Sequence, residues 1–220
     1  MAGTGSRGGQ SYAGMGRSRV SGRYPIPTGR SRVEEEIKKS RFITTLGVVS
    51  SIDEASGFVD EVRSEFSDAS HNCWAYLVGP PGTTTTVGMS DDGEPHYTAG
   101  RPILNVLVHS GLGDIAVVVT RYWGGTKLGK GGLVRAYSGG VQLALQSCAV
   151  GEKIDWANFE VSFDYAVVAG FKHTYPAFEA EILAEDYGEK VLFKLWLPSE
   201  KMDCLKDALV ELTNGKIIFG

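Results

Sequence analysis

The sequence has few cysteines, no long hydrophobic run and no acidic side chain before residue 33. Its three cysteines, Cys73, Cys148 and Cys204, are far apart and odd in number, so a disulfide framework or a four-ligand zinc site has no support and a reducing compartment is favoured. No apolar run approaches the roughly 18 residues that span a bilayer, and the N-terminus lacks the apolar core of a secretory signal. We therefore expect a soluble, cytoplasmic protein with no membrane partner.

The composition is that of a globular protein with an unusual N-terminal segment. The 220 residues are 42% hydrophobic and 22% charged, which is enough for one large or two small domains. Residues 1–32 carry six arginines and no acid, whereas residues 33–220 carry 16 basic and 26 acidic side chains, so the net charge of -4 hides opposite local charges. We interpret residues 1–23, which are rich in Gly, Ser and Arg, as a disordered tail or an expression leader.

The hydrophobic pattern predicts two α+β domains. Residues 51–54 have capping-box spacing ahead of a helical apolar pattern, and residues 114–122 contain an apolar run typical of a strand that is covered on both faces. A glycine-rich loop and a further helix follow that strand. From residue 151 the order of predicted elements is βαββαβ, which is the ferredoxin-like arrangement. We expect one domain over residues 24–150 and a second over residues 151–220.

The most unusual segment is residues 120–137, which holds four cations and no acid. Its glycines allow successive backbone N–H groups to face one concavity, and the following helix directs its positive end toward the same place. The cations are Arg121, Lys127, Lys130 and Arg135. This combination predicts a site for phosphate groups.

The same loop resembles a Walker A motif but lacks one required residue. Gly131 stands where a magnesium-binding Ser or Thr is needed, so an ATPase or GTPase is rejected. Because Tyr122 and Trp123 lie among the cations, the loop suits a nucleic-acid backbone with stacked bases better than a single triphosphate. The alternative is a glycine-rich turn that serves packing alone, with solvated lysines.

A second candidate site is the turn that carries Asp91, Asp92 and Glu94, followed by His96. Carboxylates and an imidazole at this spacing could bind a hard divalent cation or perform acid–base chemistry. The turn lacks the calcium-loop pattern, and Asp and Gly favour turns for conformational reasons alone, so an exposed structural turn is the preferred interpretation.

His71 is a further candidate because it precedes Cys73 by two residues. A thiol with a nearby base could act as a nucleophile, but Cys73 begins an apolar strand and no third, orienting group can be named. We expect Cys73 to be inert packing. The sequence shows no cofactor motif and no metal-ligand pattern, so we expect neither a cofactor nor a metal.

Five longer motifs, taken in order, resemble the IMPACT/YigZ family in its two-domain bacterial form. They are residues 35–42 (EEIKKSRF), 71–75 (HNCWA), 90–95 (SDDGEP), 98–102 (TAGRP) and the ends of 121–137 (RYWGG and GGLVRAY). The resemblance implies an N-terminal domain of the left-handed βαβ type found in domain IV of elongation factor G. It also implies a ferredoxin-like second domain similar to domain V of that factor.

The resemblance also carries an expectation about function. Eukaryotic members of the family are regulators of translation initiation, and nucleic-acid or ribosome binding is suggested for the two-domain members by fold analogy. Our leading hypothesis is a non-enzymatic protein that binds RNA or the ribosome and influences translation, with protein partners in the translation machinery. The first alternative is a hydrolase or phosphotransferase that uses the carboxylate turn beside the basic loop. The second is a protein-binding adaptor that uses the sheet face around Trp196.

Overall fold

The computed structural model describes residues 22–82 and 86–220. The strands are β1 (Tyr24–Pro27), β2 (Ser31–Ile37), β3 (Ser40–Val48), β4 (His71–Val78), β5 (Thr86–Ser90), β6 (Ile115–Tyr122), β7 (Val150–Lys153), β8 (Trp156–Phe163), β9 (Glu181–Tyr187), β10 (Val191–Pro198) and β11 (Ile218–Phe219). The α-helices are α1 (Ile52–Glu65), α2 (Gly100–His109), α3 (Lys130–Ser147), α4 (Val168–Thr174) and α5 (Met202–Leu212).

Only the end of the predicted tail falls within the described residues; positions 1–21 lie outside them. Arg23 forms ion pairs with Glu152, Glu179 and Glu200, the last at 2.7 Å from its Nε. The folded part of the chain therefore already includes Arg23.

The first sheet has the order β2-β3-β6-β4-β5, and every neighbouring pair is antiparallel. β6 is central, as its apolar run predicts. Alternate residues of β6 enter different apolar clusters: Val117 and Val119 pack with α2 and α3, whereas Ala116 and Val118 pack with α1. Because alternate side chains of a strand point to opposite faces, helices cover both faces of this sheet.

The second sheet has the order β11-β8-β10-β9 and belongs to a βαββαβ unit. Its buried face includes Phe163 and Phe193, which pack with Phe171 of α4 and with Leu205 and Leu209 of α5. The mixed α+β fold class is therefore confirmed, with the strand order expected of the ferredoxin-like arrangement.

The connection between the two sheets is a short antiparallel ladder of β1 and β7. The two main apolar clusters share no residue: one is built from residues before 149 and the other from residues after 158. The division at residue 150 stays a prediction, and β7 spans that position. No helix in the described ranges is both long enough and apolar enough to cross a membrane.

The β2–β3 hairpin positions the glycine-rich loop. Its two-residue turn, Lys38–Lys39, has positive φ at both residues, 48° and 65°. A methyl group at Gly124 would lie 1.6 Å from the carbonyl oxygen of Lys39, so the loop passes against this turn at a distance that only glycine permits. The end of β6, the beginning of the glycine-rich loop and the Lys38–Lys39 turn are therefore neighbours.

Candidate nucleic-acid interface

The glycine-rich loop is anchored by its backbone and presents Trp123 outward. The backbone N–H of Trp123 donates to Ser70 Oγ at 3.1 Å, and that of Gly124 donates to Ser40 Oγ at 3.3 Å. The Trp123 side chain is 58% exposed. A large aromatic ring is thus held in solvent on a fixed backbone, which is the arrangement that base stacking requires.

No acidic side chain of the first turn accepts from the free backbone N–H groups at the N-terminus of α3. Its N-cap is Gly129, with φ 73°, and neither a side-chain cap nor an acidic residue is present in the first turn. The first N–H groups of a helix have no partner within the helix, and their partial positive charge attracts anions. The loop therefore ends at an uncapped, electropositive helix terminus.

The cations of the loop and of the start of α3 have side chains that make no internal polar contact within the described residues. Lys127, Lys130 and Arg135 are exposed, and the side chain of none of them forms an ion pair or hydrogen bond within the described part of the chain. Lys38 and Lys39 of the neighbouring turn are also exposed and equally unpaired there. We call Lys38, Lys39, Lys127 and Lys130 together the basic face.

Arg121 occupies a different environment from the one the sequence indicates. It is 5% exposed, and its Nη1 donates to Glu94 Oε1 at 2.6 Å, while Nη2 donates to Ser40 Oγ at 3.3 Å. Its guanidinium also lies over the Phe42 ring. Arg121 therefore belongs to a buried ion pair and not to the exposed cations.

Tyr122 is also engaged within the protein. Its hydroxyl donates to Asp68 Oδ1 at 2.6 Å, and this hydrogen bond raises the Tyr122 pKa above its ordinary value. The guanidinium of Arg41 lies 5.6 Å from the centre of the Tyr122 ring. Of the two aromatic residues predicted to stack on bases, Trp123 is the one with an open ring.

The carboxylates Asp91 and Asp92 hold backbone in place. Asp91 Oδ1 accepts the N–H groups of Ala99 at 3.0 Å and Gly100 at 2.8 Å, at the start of α2. Asp92 Oδ2 accepts the N–H of Asn72 at 2.7 Å, and Oδ1 pairs with Arg63. Asp91 therefore caps α2 from eight residues upstream, which is a structural role.

Glu94 is the buried member of the turn. Its Oε1 accepts from Tyr137 Oη at 2.8 Å as well as from Arg121, and its side chain is 3% exposed. Tyr137 in turn lies 3.4 Å from Cys73 Sγ. Burial raises the pKa of Tyr137 well above its usual range and that of Cys73 to about 12, so both remain protonated at neutral pH.

His71, the last residue of the second predicted site, contacts the backbone of the carboxylate turn and not one of its carboxylates. Its Nδ1 donates to the backbone carbonyl of Asp92 at 2.7 Å, because a carbonyl can only accept. Across residues 22–82 and 86–220, no group of three or more His, Cys, Asp and Glu side chains is arranged to hold a metal ion.

The carboxylate turn and the basic loop do meet, at a small cavity. Its volume is about 270 Å³, and its lining includes Pro95 from the turn together with Arg121, Trp123, Lys127 and Lys130. No carboxylate lines it. A larger open groove of about 670 Å³ lies between α2 and α3. It is a separate site, because it shares no lining residue with the small cavity.

Comparison with known proteins first gives the class of protein. Residues 38–145 match the Impact N-terminal domain, and residues 161–216 match DUF1949, a domain of unknown function. The protein is thus a two-domain α+β protein in which these two modules follow one another. A solved structure described only as a hypothetical protein is 38% identical, with a TM-score of 0.64, and the match covers 90% of this chain and 96% of that one.

Curated relatives then identify the family. The chain is 40% identical to IMPACT family member YigZ of Escherichia coli strain K12 over 192 residues, which cover 87% of this chain and 94% of the relative. It is 37% identical to an IMPACT family member of Haemophilus influenzae over 195 residues, or 89% and 95% of the two chains. It is also 37% identical to IMPACT family member YvyE of Bacillus subtilis strain 168, with 82% of each chain covered. The chain belongs to the IMPACT family, and the resemblance seen in its motifs is confirmed.

Proposed function

We propose that this protein binds structured RNA, on or near the ribosome in the cytoplasm, and thereby influences translation. The observation that carries the proposal is the basic face: four exposed lysines on the glycine-rich loop, the start of α3 and the Lys38–Lys39 turn, whose side chains have no partner among the described residues, near a Trp123 ring that is 58% exposed. Arg135, exposed on α3 just beyond its first turn, extends the positive charge along the helix.

The charge distribution suits RNA recognition. Each lysine that neutralises a phosphate releases counterions, which supplies affinity independent of sequence. An aromatic ring beside such cations adds stacking with an unpaired base. The rest of the chain is acidic, because residues 33–220 hold 26 acidic and 16 basic side chains, and this acidity restricts polyanion binding to the local basic face.

The test is a matched pair of double variants. Lys127→Ala with Lys130→Ala removes two cations from the basic face. Lys190→Ala with Lys216→Ala removes two exposed lysines from the second domain whose side chains likewise have no partner within the part of the chain that the structure describes. Both change the net charge equally. We expect only the first to weaken binding of a labelled RNA hairpin in fluorescence anisotropy. Equal affinities for the two double variants would remove the site assignment.

A second candidate function, a protein-binding adaptor, is favoured by one specific feature. The face of the second sheet opposite its core carries Trp196, 37% exposed, with its ring stacked on Trp156 at 4.3 Å between centroids. Leu183, 58% exposed, lies on the neighbouring strand β9. Exposed apolar residues grouped in this way mark interaction surfaces.

Ribosome co-sedimentation separates the two candidates. RNA binding through the basic face predicts that the Lys127→Ala and Lys130→Ala variant is lost from the ribosomal fraction. The adaptor function predicts instead that Trp196→Ala with Leu183→Ala is lost while the loop variant stays bound.

A further inference from the structure

The cavity beside Trp123 combines an apolar floor with cations at its rim. Leu128 and Leu133 provide the apolar surface, and Lys127 and Lys130 provide positive charge that no described side chain pairs with. Its volume of about 270 Å³ corresponds to roughly nine water molecules at ~30 Å³ each. This is enough room for one charged group, with the rest of a larger ligand lying outside the cavity.

The inner wall provides a second observation that is independent of the helix terminus. Arg121 lines the cavity and is 5% exposed, yet its Nε has no hydrogen-bond acceptor among the residues that the structure describes. Its two other nitrogens are occupied by Glu94 and Ser40. Buried N–H donors are normally paired, so the unmet Nε of Arg121, on a side chain that lines the cavity, is a feature that an added acceptor would satisfy.

The charges around the cavity identify that group. Glu94 already neutralises Arg121, which leaves Lys127, Lys130 and the partial charge of the α3 N-terminus without a counter-charge in residues 22–82 and 86–220. A phosphomonoester carries a charge of about -1.5 to -2 at pH 7, which two lysines match, whereas an internal phosphodiester carries one charge and is flanked by sugars on both sides.

We propose that the cavity binds the terminal phosphate of an RNA strand, with the adjoining base stacked on Trp123. The inference rests on the proposed function, since it specifies which part of an RNA occupies the same site. Gly129 and Lys130 bring backbone N–H groups to the phosphate, Lys127 and Lys130 supply charge, and Arg121 positions the inner wall.

The experiment compares RNA hairpins of identical sequence whose single-stranded end carries a 5′-phosphate, a 3′-phosphate or only hydroxyl groups. We expect one phosphorylated form to bind about tenfold more tightly than the hydroxyl form, as charge-assisted contacts to one group would give. Equal binding of all three would overturn the terminal-phosphate inference and leave the RNA-binding proposal intact. Binding of none would overturn the RNA-binding proposal itself.

Competition with free ligands identifies the source of the phosphate. Adenosine monophosphate and inorganic phosphate should displace the phosphorylated hairpin only at concentrations far above the Kd of that hairpin, because neither reaches the rest of the basic face. If adenosine monophosphate bound as tightly as the phosphorylated hairpin, the ligand would be a mononucleotide and the assignment to an RNA end would be wrong.

Two single variants separate the cavity from general electrostatics. Lys130→Met should reduce the preference for the phosphorylated hairpin to about twofold or less, because Lys130 lines the cavity. Lys38→Met removes the same charge from the basic face, but Lys38 does not line the cavity. Lys38→Met should weaken the binding of phosphorylated and hydroxyl hairpins equally, and so preserve the preference for the phosphorylated form. A preference that survives Lys130→Met would contradict the inference.

Discussion

Replacing Glu94 by Gln tests the buried ion pair that separates Arg121 from the exposed cations. The two side chains are 6% and 3% exposed, and their charged atoms are 2.6 Å apart. Glutamine keeps the shape of glutamate and an oxygen acceptor for Tyr137, but it removes the negative charge. The Arg121 guanidinium would then remain buried without a counterion.

The expected cost follows from that burial. Removing one partner of a buried ion pair typically lowers the free energy of unfolding by about 3–5 kcal/mol, because the remaining charge is left uncompensated. With a urea dependence of about 2 kcal/mol per molar, the midpoint of the transition should fall by roughly 1.5–2.5 M. Replacing both partners together, by Glu94→Gln and Arg121→Met, should recover most of that loss, since no unpaired charge remains and the glutamine oxygen can still accept from Tyr137.

Urea unfolding followed by far-ultraviolet circular dichroism measures these changes. The matched control is Glu160→Gln, which breaks an ion pair with Lys194 of the same 2.6 Å length but with side chains 41% and 51% exposed. Exposed pairs contribute about 0–1 kcal/mol, so this variant should unfold close to wild type. If Glu94→Gln cost no more than Glu160→Gln, the proposed importance of burial would be refuted.

Further predictions concern the elements around the site. Asp91→Ala should lower the free energy of unfolding by about 1–2 kcal/mol in urea titration, because the start of α2 loses its carboxylate cap; a wild-type midpoint would argue against that role. Gly124→Ala should destabilise by about 1–3 kcal/mol or more through its clash with the Lys38–Lys39 turn. Gly139→Ala, in open space within α3, should instead stabilise by about 0.5–1 kcal/mol. The thiol of Cys73, whose pKa is raised by burial to about 12, should resist alkylation at pH 8 while the exposed Cys204 reacts, as mass spectrometry of the digested protein would show. Because the folded-state pKa of Cys73 is raised, its contribution to stability is complete below its ordinary pKa of 9 and is lost as the pH rises toward 12.

Periodic patterns predicted the architecture well. The apolar run in β6 required cover on both faces, and the structure places α1 on one face and α2 with α3 on the other. The βαββαβ order of the second domain was likewise visible from alternation and helical spacing. These features follow from local sequence, because burial of a strand or helix face imposes its period on neighbouring residues.

The parts of the site that escaped prediction depend on contacts between distant segments. The sequence predicts that Arg121 is a surface cation. The fold instead pairs it with Glu94, which lies 27 residues upstream. Nothing in the local sequence links Lys38 and Lys39 to the loop, because the link is the close approach of Gly124 to their turn. In the sequence, the glycine at position 124 is the feature that indicates such a close approach.

The salt dependence of RNA binding tests the central claim most directly. Each phosphate contact on a single strand contributes about 0.7 to the slope of log K against log salt concentration, and each contact on duplex contributes about 0.9. The Lys127→Ala and Lys130→Ala variant should therefore have a slope shallower than wild type by roughly 1.4–1.8, while Lys190→Ala with Lys216→Ala should keep the wild-type slope. A loop variant that retains the wild-type slope would contradict the claim that these lysines contact RNA phosphates.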